Sequence, residues 1–282
     1  VMTLPWQDGY QANAAAVGSG TLVYGAQAWR FHPLDFKMAS TYGVPEGSSL
    51  ADWPITHEDL APHYDAIEHS LGVAGDCTAM THLPEYQRDY PMPPLPLTRP
   101  GSIHRKGAAQ LGWHTLPVPL AINSVARDGR PACIQCQHCV GFACPVNAKN
   151  GSQNTFIPQA IATGRCDLQT GVMVERIVMR GDCAEGVTYF DAAGNRVTAK
   201  AEVVVLAGGA VETARLLLFS GFTNDNIGRN LQGHVYVSAT GLFDEEVYDG
   251  LGPGVTTATT RWSHGNDGIV GGGMLADDFI VL

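Results

Sequence analysis

Four of the chain's seven cysteines stand in one short run, "CIQCQHCVGFACP", at residues 133–145. Cys133, Cys136, Cys139 and Cys144 follow C-x2-C-x2-C-x4-C-P, with spacers short enough for one loop to wrap its sulfurs around a compact centre. Thiolates so spaced suit an iron–sulfur centre, and the run differs from the bacterial ferredoxin pattern by one extra residue before its last cysteine. Sulfur ligands suit tetrahedral zinc as well, and crowded thiols with no metal are a third reading. Spacing alone does not choose among the three. Cys77, Cys166 and Cys183 stand singly, unlike the framework of a small secreted disulfide protein.

Other residues with chemical potential are more ambiguous. In "VGSGTLVYGAQAWRFHPLDF", Gly18, Gly20 and Gly25 allow a sharp turn or a close approach of backbone to a flat ligand, although the run is not G-x-G-x-x-G and no strand precedes it. Arg30 and His32 follow at once, read as an arginine paired with local carboxylates and a surface histidine. His57, His63 and His69 are six apart, which does not put them on one helix face, so they read as solvated side chains rather than ligands. Gly208 and Gly209 sit between an apolar run and a helical one, the arrangement that presents backbone N–H groups to an anion in α/β folds.

These groups must be positioned by a sizeable core. The chain has 282 residues, 45% of them hydrophobic, enough for one large domain or two ordinary ones. Seventeen basic and 27 acidic residues give a formal charge of −10 without any Lys/Arg-rich stretch, which argues against nucleic acid and anionic membrane surfaces as partners. No apolar run approaches the ~20 residues that span a bilayer.

The elements follow from local pattern. Thr56 and Asp59 make a capping box, Leu60, Tyr64, Ile67 and Leu71 recur at helical spacing and Gly72 ends the helix, with Pro62 inside it. A proline-rich connector covers residues 83–100. "NAKNGSQNTFIPQAIATG" ends in a short helix closed by Gly164. Residues 168–221 read as β-β-β-α: two strands, a hairpin at "DAAGNRV", a buried strand at "EVVVL", the glycine turn, and a helix stopped by Gly221.

In this order, "VGSGTLVYGAQAWR", "DWPITHEDLAPHYDAIEHSLGVAG", the cysteine run, "LQTGVMVERI", "EVVVLAGGAVETARLLLFSG" and "IGRNLQGHV" resemble the glucose–methanol–choline family of FAD-dependent oxidoreductases, nearest its sugar and sugar-acid dehydrogenase branch. The resemblance covers residues 15–282. It implies a mixed α/β fold: an incomplete Rossmann-like FAD domain with an inserted substrate-binding domain built on an antiparallel sheet. It divides the chain into 1–50 (flavin-contacting), 51–130 (substrate-domain helices and connector), 131–150 (cysteine loop), 151–233 (return to the FAD domain) and 234–282 (start of the substrate-domain sheet).

By the same resemblance, Gly18, Ser19, Gly20 and Thr21 lie beside the flavin ring and the backbone of Val174 meets the adenine. Ala207, Gly208, Gly209 and Ala210 form the returning turn, and Asn230 with His234 matches the G-R-N-L-x-x-H segment. FAD is expected to be non-covalent, since Thr21, Leu22, Val23 and Tyr24 stand where some relatives carry a flavin-bearing histidine. The implied activity is oxidation of a CH–OH group of a polyol, sugar or sugar acid, with hydride passing to flavin and a basic histidine taking the proton. An iron–sulfur centre on the four cysteines would then pass electrons to an acceptor such as a cytochrome or a small electron-transfer subunit. The family's opening G-x-G-x-x-G unit and its catalytic histidine have no match, so no residue here is expected to be catalytic, the chain reads as an internal fragment, and cytoplasmic or periplasmic location stays open. The alternative is a non-flavin iron–sulfur or metal-binding electron-transfer module, or an inactive fragment.

Overall fold

Residues 116–122, LPVPLAI, are the spine of the main core in the computed structural model, which describes residues 14–84 and 88–278. Pro117 and Pro119 remove alternate N–H donors, so the segment cannot sit centrally in a regular ladder. It bonds instead to several neighbours in turn. Ala28 N–H donates to Pro119 O at 2.9 Å, Val118 N–H to Thr256 O at 3.1 Å, and Ala121 N–H to Ala26 O at 2.7 Å, while Ala74 and Leu120 exchange two bonds at 2.7 and 2.9 Å. Leu116, Val118, Leu120 and Ile122 meet Val73, Met80, Met92 and Val255 in this core.

In chain order the helices are α1 (Met38–Tyr42), α2 (His57–Leu71), α3 (Arg99–Gln110), α4 (Phe156–Ala162) and α5 (Ala210–Phe219). The strands are β1 (Leu116–Pro117), β2 (Met173–Arg180), β3 (Cys183–Phe190), β4 (Arg196–Lys200), β5 (Thr257–Thr259) and β6 (Leu275–Ala276). The chain divides into two compact units, Val1–Cys166 with Phe243–Leu282, and Asp167–Leu242. This division cuts across the five role-based segments expected from sequence. It is a mixed α/β fold with antiparallel sheets, as expected. No helix among the described residues is long and apolar enough to cross a membrane.

In the larger unit, the capping box of α2 forms as expected. Thr56 Oγ1 accepts the Asp59 N–H at 3.2 Å, Asp59 Oδ2 accepts the Thr56 N–H at 2.8 Å, and Gly72 closes the helix at φ 86°. The helix continues through Pro62. Its buried face is not the expected one: His57, Asp65 and Glu68 are buried, whereas Ile67 is 50% exposed. Arg30, 35 residues before Asp65, turns the helix by offering its guanidinium to that polar stripe. His57 is thus a buried histidine, not the solvated one expected, while His63 is exposed and His69 half-buried.

The proline-rich connector is extended but packed. Met92, Leu95 and Thr98 are buried at every third position, the period of a polyproline II segment. Thr98 then caps α3, a helix the sequence reading missed, by accepting the Gly101 N–H at 3.1 Å. A Cβ at Gly101 would lie 2.3 Å from Thr256 Oγ1, so glycine lets α3 reach β5. Buried Asp277 fixes that contact, accepting the Thr256 and Thr257 N–H groups at 2.9 and 2.6 Å. β5 lies between β1 and β6 in an antiparallel sheet. Of residues 234–282, expected to begin the substrate-domain sheet, β5 and β6 join β1 in this sheet.

The smaller unit is a β2–β3–β4 antiparallel meander with α5 packed on β2, where Ser220 Oγ accepts the Ile177 N–H at 3.0 Å. The expected hairpin at residues 191–195 forms around Asp191, whose Oδ1 accepts the Ala193 and Asn195 N–H groups at 2.9 and 2.8 Å. Gly186 interrupts the register of β2 and β3 at φ 147°, where a Cβ would strike Ala199 O at 2.0 Å. The expected buried strand at residues 202–206 is absent. Val203 and Val205 are 76% and 81% exposed, and none of the described residues supplies the neighbouring strands or covering helices that such a strand requires.

Candidate functional site

The first glycine turn is a 3-10 turn, Ser19–Leu22, entered through Gly18 at φ 97° and Ser19 at φ 46°. It is clamped on the segment after the cysteines: Thr21 Oγ1 donates to Gly18 O at 2.5 Å and accepts the Ser152 N–H at 3.2 Å. A Cβ on Gly18 would lie 2.5 Å from Gln153 Oε1, whereas one on Gly20 would meet nothing within 4 Å. Gly18 is therefore required by packing, and the backbone at Gly20 is open to a ligand.

The cysteine loop is organised by a buried cation. Lys149 is 1% exposed, and its Nζ donates to Tyr24 O and Phe142 O, both at 2.9 Å, and to Cys139 O. Tyr24 Oη donates to Asn150 O at 2.5 Å, tying the loop to the first glycine turn's exit. Gln135 N–H donates to Cys133 Sγ and Ala148 N–H to Cys144 Sγ, both at 3.3 Å, with Gln135 and Gln137 in left-handed conformations at φ 57° and 55°. Burial pushes the Cys139 thiol up to about 12, and the neighbouring Cys133 raises it further while Lys149 opposes. Burial also raises Cys133. All four cysteines are free thiols, and among the described residues no three His, Cys, Asp or Glu side chains are arranged to hold a metal ion. Cys133, Cys136, Cys139 and Cys144 share this loop closely enough that each of the other three raises the Cys139 thiol.

The second glycine turn precedes α5, with Gly209 at φ 85° and ψ 168° and nothing within 4 Å of the position a Cβ would take. Ala207, Gly209 and Ala210 line a cavity of about 410 Å³ with Leu206, Leu217 and Ile227. Its apolar walls, with Glu212 in the first turn of α5, suit the face of a ring better than a phosphate. In the same unit, Val174 pairs with Tyr189 beside a register shift in β2, and Asn230 adopts φ 57° on an exposed segment where His234 Nδ1 lies 3.1 Å from Tyr236 Oη. The expected cofactor residues accordingly fall into two sets. Gly18, Ser19, Gly20 and Thr21 belong to the larger unit, and Val174, Ala207, Gly208, Gly209, Ala210 and Asn230 to the smaller.

The sequence pattern of the GMC oxidoreductases matches residues 97–236, a span that holds the cysteine loop, the meander and the second glycine turn. The chain belongs to this family. It is 33% identical over 80% of its length to paromamine 6'-oxidase of Streptomyces fradiae, covering 41% of that protein. It is 34% identical over 78% of its length to 2-methyl-1,2-propanediol dehydrogenase of Mycolicibacterium austroafricanum, covering 40% of that protein. The chain thus spans about two-fifths of these relatives' length. Its fold is similar, with a TM-score of 0.50 and 17% identity, to an FAD-dependent oxidoreductase from Chaetomium thermophilum, over 74% of this chain and 35% of that one.

Arg30 does pair with carboxylates, but not with neighbours in sequence. Its Nε and one terminal nitrogen bind Glu68 at 2.8 and 2.7 Å, and Asp65 Oδ1 lies 2.5 Å away. His32 is half-buried rather than a surface residue, with its ring 4.5 Å from that of His264. The sequence reading missed Lys149, because a lysine between Ala148 and Asn150 carries no periodic or spacing signal.

Proposed function

We propose that this GMC-family chain is part of an FAD-dependent oxidoreductase acting on the CH–OH group of a polyol, sugar or sugar acid. The observation that carries the reading is the family match over residues 97–236, which includes the turn and cavity at Ala207, Gly209 and Ala210. Two relatives whose names specify oxidation, one an oxidase and one a diol dehydrogenase, support the reaction class.

In this reading FAD is held non-covalently and supplies the acceptor for the hydride leaving the carbinol carbon. The smaller unit contributes Ala207, Gly208, Gly209 and Ala210 with Val174 and Asn230, and its apolar cavity would exclude water from one face of a ring. The larger unit contributes the open backbone at Gly20, held in place by Gly18 and Thr21. No proton transfer is assigned to a residue of this chain, and no electron route is drawn through the cysteine loop.

The test uses the natural gene product that contains this chain. Purified from its own host, it should show a flavin absorption spectrum that bleaches anaerobically on addition of a polyol or sugar, and acid precipitation should release the flavin into the supernatant. A colourless protein overturns the flavin reading, and flavin that stays with the precipitate overturns non-covalent attachment.

A further inference from the structure

The chain between β5 and β6, residues 260–274, is a compact flap stapled to itself. Asn266 Nδ2 donates to Trp262 O at 2.8 Å and to Gly271 O at 2.9 Å, and the Gly273 N–H donates to Trp262 O at 2.9 Å. A Cβ on Gly272 would lie 1.8 Å from Trp262 O, so glycine is needed where the flap folds back. Its ends are joined by paired strands and its interior is held by its own groups, so the flap can move as one piece. His264 on this flap walls a cavity of about 340 Å³, within the larger unit, whose opposite wall carries His32, His82 and His114.

The flap is fastened to the rest of the larger unit at Trp262, whose ring meets that of Trp113 edge to face at 4.5 Å, and at His264. Tyr42 Oη, on α1, accepts the Gly265 N–H at 3.2 Å and keeps its own proton for His264 Nδ1 at 3.0 Å. His264 then carries its proton on Nε2 and donates it to Asp35 Oδ1 at 3.1 Å. Asp35 is presented by the 3-10 turn Pro33–Lys37, and that turn depends on a neutral His32. His32 Nδ1 accepts the Leu34 N–H at 3.1 Å, while Asp35 Oδ2 accepts the His32 N–H at 2.7 Å. The rings of His32 and His264 are 4.5 Å apart and tilted.

We infer that His264 latches this flap over the cavity at neutral pH and that acid opens it by protonating His32. A proton on His32 Nδ1 turns the acceptor of the Leu34 N–H into a second donor, which breaks the cap of the turn that carries Asp35. It also sets a positive charge 4.5 Å from the latching ring. A proton on His264 alone does not release the flap, because the imidazolium pairs with the Asp35 carboxylate and Tyr42 Oη accepts its second N–H. His32 is thus the trigger and His264 the latch. Burial lowers the pKa of His32, and His264 and His57 lower it further against the opposing Asp35. His82 faces His32 with parallel rings 6.3 Å apart, and is itself lowered by burial, His32 and His114. Arg261 adds an exposed cation at the cavity wall. A base whose pKa is lowered in the closed flap stabilises that state fully above about pH 6.5 and progressively less below it. Opening removes one wall of the cavity, so the latch gates access to it with or without flavin.

The experiment is hydrogen–deuterium exchange of the natural gene product that contains this chain, resolved to single amides and corrected for the pH dependence of intrinsic exchange. The Gly265 N–H closes on Tyr42, and the core Ala121 N–H donates to Ala26 O. Gly265 should exchange faster than Ala121 at both about pH 7.5 and about pH 5, because the flap opens without the core. Between those pH values the corrected rate at Gly265 should rise by about fivefold or more. His32→Asn keeps a side-chain acceptor for the Leu34 N–H but has no titrating ring, so its Gly265 rate should stay within about twofold over the same interval. His264→Ala lacks the latch and should speed exchange at Gly265 by about tenfold or more at about pH 7.5. Exchange at Gly265 no faster than at Ala121, a corrected rate that does not rise in acid, an acid rise that persists in His32→Asn, or an unchanged rate in His264→Ala would each overturn the inference.

Discussion

Arg30 places its guanidinium between two carboxylates of one helix, and the magnitudes decide how much that matters. The side chains of Arg30, Asp65 and Glu68 are 2%, 7% and 4% exposed, and Glu68 receives two parallel bonds. Removing one partner of a buried pair leaves a charge without compensation, at about 3–5 kcal/mol. Glu68→Ala should fall at the low end, about 3 kcal/mol, because Asp65 still holds the guanidinium. The exposed pair of Arg215 and Glu212, with side chains 50% and 44% accessible, should contribute less than about 1 kcal/mol. Urea unfolding checks the first value directly, since Trp29, Trp53, Trp113 and Trp262 all lie in the larger unit and report it alone. If Glu68→Ala lowers stability no more than Glu212→Ala does, the buried triad is not what fixes α2.

At the scale of elements, the cysteine loop shows how one residue can hold a segment that lacks regular structure. Lys149 satisfies three carbonyls, Tyr24, Cys139 and Phe142, which would otherwise be left without donors near the core. Lys149→Met removes all three bonds while retaining a long apolar stem, so the loop should open and the reaction of Cys139 with a thiol reagent should accelerate by about tenfold or more, the population shift of losing at least ~1.4 kcal/mol of local stability. An unchanged rate means that something other than the ammonium closes the loop. The sequence showed the loop's cysteines but not its staple, because hydrogen bonds to backbone carbonyls leave no spacing to read. Local signals translated well: the Thr56 and Asp59 box, the Asp191 hairpin and the glycine stops all reappear. Non-local ones did not. Residues 202–206 have strand chemistry without strand neighbours, the polar face of α2 depends on Arg30, and the histidine cavity joins positions as distant as 32 and 264.

Across the whole molecule, those histidines and His57 link stability to pH. Burial lowers His57, His32 and His82, the last to about 4, with neighbouring His32 and His114 lowering His82 further and His264 and His57 lowering His32. Asp35 opposes the shift at His32 and Glu58 opposes it at His57, where Arg30 adds to burial. Each group is a base whose folded pKa lies below its unfolded value of about 6.5, so the unfolded chain binds more protons at acidic pH. Their stability contribution is therefore complete above about pH 6.5 and declines as the pH falls, for His82 over the interval from 6.5 down to about 4. The urea midpoint of the larger unit should drop progressively over that interval. His57 also has both ring nitrogens buried without a partner, so His57→Phe should leave stability near neutral pH unchanged or raised and should flatten the acid limb. His82→Phe should flatten it as well. Carboxylates with lowered pKa values, such as Asp52, Asp59 and Glu175, lose their contributions nearer their own ionisation range, below the upper part of the histidine window. A midpoint that stays level from pH 6.5 to 5 in the unaltered chain, or an acid limb that keeps its slope in both variants, would show that the buried imidazoles are not the groups being titrated.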